Sequence, residues 1–201
     1  MKPAPYLIAL CLGLAGCAGS PPAHYHTLGA TAPAGPSGGA RLLVEILPPA
    51  VPERVNRTEI VLTGSDGRLD VKDQERWAAP LSDEIRQAVA DALWAELAAA
   101  DVYQAPVTAA STPLPQYRLA LRIERFDAVP GDKVRVEAAW TIRRLPQGAS
   151  LTCRRRIERP LLGSTAEAAA ESLGKATGTL AEAVAQSLSR HAAELPAPCG
   201  E

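Results

Sequence analysis

"QYRLALRIERFDAVPGDKVRVEAAWTIRRLPQGASLTCRRRIER" (Gln116–Arg159) decides the fold. Its apolar residues recur at every second position. Tyr117, Leu119, Leu121 and Ile123 come first, then Val134, Val136, Ala138, Trp140 and Ile142, then Leu151, Cys153 and Ile157. Arg118, Arg122 and Glu124 alternate with the first group, and Arg135, Glu137 and Arg143 with the second. Successive strand side chains point to opposite faces, so this spacing makes one greasy side and one charged side. Val129-Pro130-Gly131-Asp132 puts Pro and Gly where a type II turn needs them, and Leu145-Pro146-Gln147-Gly148 turns the chain again. The stretch reads as an antiparallel meander of three strands.

Upstream, Arg41 to Leu47 alternates Leu42, Val44 and Ile46 on one face, and Pro48-Pro49 ends that strand. A turn near Pro52 to Arg57 leads to a short strand from Glu59 to Leu62. Gly64-Ser65-Asp66-Gly67 then reverses the chain into an arm at Arg68 to Val71. A helix follows, with Pro80 in its first-turn region and Asp83-Glu84 at the positive end of its dipole. Ile85, Val89, Leu93 and Leu97 recur every four residues and mark its buried face, to about Ala100. Downstream of the meander a second helix spans about Thr165 to Ala193 and buries Leu173, Leu180, Val184 and Leu188. The expected fold is α/β of the layered α+β kind: a mostly antiparallel sheet with two main helices packed on it, in a single domain.

The N-terminus carries a different message. Lys2 precedes an apolar run from about Pro3 to Leu14. That run is too short for the roughly 30 Å hydrocarbon core, which takes about 20 residues, and fits a secretory leader instead. Leu14-Ala15-Gly16-Cys17 matches a bacterial lipobox. Its cysteine would take a diacylglycerol thioether, the chain would be cut before it, and the new amino group would be acylated. Several acyl chains, at about 0.8 kcal/mol per buried methylene, hold a protein that one myristoyl chain cannot. Cys11 lies in the part that is discarded. The alternative is a secreted protein cut at another small-residue site, or an uncleaved anchor. Ala18 follows the cysteine where an aspartate would argue for inner-membrane retention, so the outer membrane, facing the periplasm, is expected.

The expected divisions are a signal peptide at 1–16, a lipidated cysteine and tether at 17–23, the folded domain at 24–195 and a tail at 196–201. About six residues separate Cys17 from His24. Extended, they reach roughly 20 Å, so the domain sits close to the bilayer. With Lys2 removed, 20 basic side chains face 22 acidic ones, which gives no nucleic-acid signal. No second run is apolar and long enough to cross a membrane.

Cys153 and Cys199 remain besides Cys17, and an oxidising periplasm lets them pair. The other reading is a buried thiol at Cys153 and a loose one at Cys199. Phosphate loops, paired-cysteine metal sites, nucleophile elbows and zinc helices are absent from the sequence, so no catalytic residue, metal or cofactor is expected beyond the lipid on Cys17. His24 and His26 lie beside the tether without evident further ligands. Gln116–Arg159 holds 11 basic and 5 acidic residues. Arg118, Arg122, Arg135, Arg143, Arg154 and Arg156 on its charged side make either a solvated face laced by Arg–Glu pairs or a docking surface for a partner, a sister subunit or anionic headgroups.

With these residues in view the chain resembles the PqiC (YmbA-like) family of ABC-type transport auxiliary lipoproteins. The likeness covers nearly the whole chain. It rests on the lipobox, on the opening Tyr25-His26-Thr27-Leu28, on "LLVEILPPAVPERVNRTEIVL" (Leu42–Leu62) and on "ERWAAPLSDEIRQAVADAL" (Glu75–Leu93), where Trp77 and Pro80 carry the match. The resemblance implies a non-enzymatic lipoprotein at the outer membrane. Its expected partner is a periplasm-spanning, PqiB-like MCE-domain protein, and its expected role is to help hydrophobic molecules move between membranes. It also implies a homo-oligomeric ring, and Trp77 as packing anchor or contact. The rival is an envelope lipoprotein that regulates a peptidoglycan synthase or another outer-membrane assembly.

Overall fold

The computed structural model describes residues 22–29, 35–108, 111–196 and 199. The meander forms the strands β6 (Gln116–Val129), β7 (Lys133–Arg144) and β8 (Ser150–Pro160). Gly131 takes φ +73 in the first turn, a conformation open to glycine at little cost. There the Asp132 N–H donates to the Val129 carbonyl at 3.1 Å.

Strict alternation along β6 would carry Arg125 and Asp127 into the core. A bulge prevents this. Ile123 pairs with Ala138 but Arg125 pairs with Glu137, so one extra residue, Glu124, is inserted. The phase then flips, and Phe126 and Ala128 turn inward beside Ile123.

β6–β8 belong to a five-stranded sheet of order β5-β2-β6-β7-β8, where β2 is Leu42–Ile46 and β5 is Ala99–Asp101. β2 runs parallel to both its neighbours. A second, three-stranded sheet has the order β1-β4-β3, with β1 His24–His26, β3 Glu59–Thr63 and β4 Leu69–Trp77. β3 and β4 form the expected hairpin, and β1 lies parallel on the outer edge of β4. The expected layering of two helices on sheet in one domain is the observed one. The strand arrangement differs in detail: there are two sheets, and three parallel pairings join the antiparallel meander and hairpin.

Helix α1 (Leu81–Leu97) follows Pro80, whose extended backbone starts it. It stops at Ala98, in the left-handed region at φ 51, because the chain must turn there to lay β5 beside β2. Helix α2 (Ala166–Ala192) is capped by Thr165, whose hydroxyl accepts from the Ala168 N–H at 3.2 Å, and carries Arg190 and His191 in its last turn. Leu173, Leu180, Val184 and Leu188 are buried, as their spacing requires. α2 packs on α1, β7 and β8 and covers one face of the large sheet. The small sheet meets that core through Trp77, which is buried edge-on against Phe126 at 6.3 Å between ring centroids.

Candidate functional site

The lipobox match Leu14–Cys17, and with it the expected lipidation at Cys17, lies outside the described residues. The first strand, β1, comes shortly after it. His24 and His26 are two apart on β1, so both rings reach the same side, where Glu75 of β4 stands directly opposite His24. His24 Nδ1 lies 2.9 Å from Glu75 Oε1 and His26 Nε2 lies 2.6 Å from Oε2. These hydrogen bonds, His24's first and His26's next, hold the Glu75 carboxyl below its ordinary 4.5.

The clamp continues downstream. The Ala78 N–H donates to the His26 carbonyl at 2.8 Å. The buried Glu84 carboxylate accepts the Leu28 N–H at 2.9 Å, so this acidic residue serves a backbone partner as well as the helix dipole. A Cβ on Gly174 would stand 3.1 Å from the Leu28 carbonyl oxygen, so glycine lets α2 approach this segment closely. The chain therefore enters the domain through a tightly held strand. Sequence reasoning placed the two histidines but missed their carboxylate, which lies in a wholly polar run, Lys72–Arg76, with no alternation to mark a strand.

The second feature is the sheet face that neither α1 nor α2 covers. Glu137 is at its centre with a side chain only 5% exposed. Around it stand Arg156 Nε at 2.8 Å, Arg154 Nη2 at 3.6 Å, Arg125 Nε at 3.8 Å and Arg135 Nε at 3.9 Å. The 2.8 Å contact lacks hydrogen-bond alignment, so it is mainly Coulombic. Glu124 pairs with Arg122 and Arg154. Glu158 takes Lys133 and Arg135, which lower its pKa. Arg118 pairs with Glu45 on β2 at 2.6 Å.

Four of the six arginines named from the sequence, Arg118, Arg135, Arg154 and Arg156, thus sit in cross-strand ion pairs on one open face, and Arg122 pairs with Glu124 along its own strand. Arg143 stands directly across from Arg118 with no carboxylate in ion-pair reach among the described residues. Arg125 joins this face only through the bulge, which simple alternation could not show. On the opposite, helix-covered side, Cys153 and Cys199 are bonded, with Cα atoms 5.4 Å apart, which ties the tail to β8. No helix among the described residues is long and apolar enough to cross a membrane.

These features define a compact α+β module with a clamped N-terminal strand and one uncovered sheet face, and solved structures share its fold. One, an uncharacterized protein, is 16% identical, covers 84% of this chain and 99% of its own, and superposes with a TM-score of 0.67. Another, XCC0632 from Xanthomonas campestris, of the DUF330 family, is 19% identical over 85% of this chain and 97% of its own, with a TM-score of 0.62. No curated protein matches the chain. The model of the ABC-type transport auxiliary lipoprotein component family matches residues 26–185. The chain belongs to that family, the PqiC/YmbA-like one.

Proposed function

We propose that this chain is a non-catalytic auxiliary subunit of an MCE/ABC-type intermembrane lipid transport system. It is held at the outer membrane by acyl chains on Cys17, and there it docks a periplasm-spanning MCE-domain protein. The observation that carries the reading is the family match together with the clamp. Only about six residues separate Cys17 from β1, and the chain from β1 to Leu28 is fixed at once to Glu75, Glu84 and α2. A domain so tied cannot swing far from its anchor, which suits a docking platform at one membrane.

The uncovered sheet face supplies a surface for the partner or for a sister copy in a ring. Its ion pairs are mostly internal, so among the described residues of that face Arg143, across from Arg118, is left to meet an external carboxylate. Two measurements test the reading. Cys17→Ala should move the protein from the membrane to the soluble periplasmic fraction, and continued membrane association sinks the anchor. Arg143→Glu should weaken partner binding at low salt by severalfold, because like-charge contacts repel in that range. Unchanged binding would leave this face a merely solvated one.

A further inference from the structure

The direction of β1 shows which end of the domain meets the bilayer. β1 is parallel to β4, with His24 opposite Glu75 and His26 opposite Trp77. β1 is therefore entered from the side of the β3–β4 turn at Gly64–Gly67. From Glu75 to Leu69, β4 covers roughly 20 Å. The stretch from Cys17 to His24 has a similar limit of roughly 20–25 Å. An anchor at Cys17 thus lies within reach of the hairpin tip.

Other elements gather at that tip. The β6–β7 turn lies there, because a cleft of about 380 Å³ between hairpin and turn is lined by Thr63, Gly67 and Leu69 from one and Val129, Asp132 and Lys133 from the other. The segment before α2 is pinned to the same turn: the Leu161 N–H donates to the Asp132 carbonyl at 3.0 Å, and the Gly131 N–H to the Gly163 carbonyl at 3.3 Å. Between those two bonds stands Leu162, 96% exposed. Leu69, at the hairpin tip, is 44% exposed. Leu162 stands wholly in water although Leu161 beside it is 1% exposed, and with Leu69 it puts two exposed leucines at one end of the domain.

The charge at this end points the same way. The cleft is lined by Arg54, Arg125, Lys133 and Arg135, half-exposed cations that pair with Asp127, Glu137 and Glu158. Arg68 stands exposed on the hairpin tip. Exposed leucines among cations, beside a lipid tether, match the chemistry of a headgroup–acyl boundary.

We propose that this end is a membrane-docking surface. Leu162 and Leu69 seat in the interface of an anionic bilayer, and the exposed Arg68 beside Leu69 meets phospholipid phosphates. The proposal rests on the lipid anchor at Cys17. It also sets the polarity of the domain. α2 starts beside Leu162 and rises about 40 Å, at ~1.5 Å per residue, to the β7–β8 turn, where Arg144 lies 4.0 Å from Glu194. That far end faces the periplasm.

The test uses the full lipoprotein in vesicles of phosphatidylethanolamine and phosphatidylglycerol, with an environment-sensitive NBD label on Leu162→Cys or, as far-end control, on Gln147→Cys. Nitroxide lipids should quench the label at position 162 roughly twofold or more above that at 147, as expected for a residue about 5–10 Å into the boundary. The difference should shrink in phosphatidylcholine. Equal, water-like signals from protein that floats with the vesicles overturn the docking surface and leave the anchor standing. Shielding of position 162 in detergent alone means a second copy covers it, and also overturns the proposal. Protein that does not float and carries no acyl mass overturns the anchor, and the docking with it.

Discussion

Glu137 and Arg156 stand opposite each other on β7 and β8, with 2.8 Å between Oε1 and Nε. The carboxylate is almost wholly buried while its four arginine neighbours are 30–65% exposed. The anion is thus shared and shielded, and the cations are half in water. Removing the anion and removing one cation should therefore differ.

Glu137→Gln leaves four guanidinium groups facing one another. The cost should be about 1–3 kcal/mol, below the ~3–5 kcal/mol of a fully buried pair because water screens the arginines. Arg156→Ala removes one of four partners and should cost under about 1 kcal/mol. Urea midpoints of the two variants check the ordering. Equal midpoints would mean that the cluster contributes nothing specific.

The histidine clamp predicts an acid response. The Glu75 carboxyl titrates below 4.5 in the folded chain because His24 and His26 hydrogen-bond to it. Its contribution is therefore complete above its unfolded pKa and is lost as pH falls through the lowered folded value. Wild type should exceed Glu75→Gln in thermal stability at neutral pH, and the gap should close only as pH falls below the ordinary carboxyl range, through the lowered folded value. A gap that persists unchanged in strong acid would show that the carboxylate charge is not what holds β1.

The bond between Cys153 and Cys199 closes a loop of 46 residues in sequence separation. In the chain-entropy model such a loop stabilises by about 4 kcal/mol. Cys153→Ala/Cys199→Ala should lower the unfolding free energy by most of that amount. Reductant should destabilise the wild type and leave this double variant unchanged. A variant as stable as the bonded protein would argue that the tail contributes no constraint.

Two glycines one turn apart on α2 should respond oppositely to the same change. Nothing lies within 4 Å of a Cβ on Gly178, so Gly178→Ala should gain about 0.5–1 kcal/mol from helix propensity. A Cβ on Gly174 meets the Leu28 carbonyl at 3.1 Å, so Gly174→Ala should forfeit that gain and loosen the N-terminal strand. Denaturation and hydrogen exchange at Leu28, whose N–H is held by Glu84, measure both effects.

Much of the fold was legible where period and core agree. The three meander strands and both helices follow from spacings of two and four. Thr165, Gly131 and Gly148 mark boundaries by capping and turn chemistry. The parallel pairings were not legible, because nothing local in β2 says that β6 rather than β3 lies beside it. β5 is only Ala-Ala-Asp, too short to show a period. The lower half of β4, Lys72–Arg76, is polar throughout, with no alternation to mark a strand, and so reads as loop. For the candidate site, the sequence showed the arginines and placed Glu124 and Glu137 beside them on the charged side, but not Glu45 or Glu158 nor which pairs form. Glu137's burial and Glu75's two histidines depend on register, which only the folded sheet displays.

The central claim is that an anchored, clamped domain serves a transport machine by holding another protein. In-cell crosslinking of the intact lipoprotein, followed by mass spectrometry of what it captures, tests this most directly. An MCE-domain protein should be among the captured partners, reduced by Arg143→Glu and by release of the anchor in Cys17→Ala. Capture of a peptidoglycan synthase with no MCE-domain protein would contradict the claim.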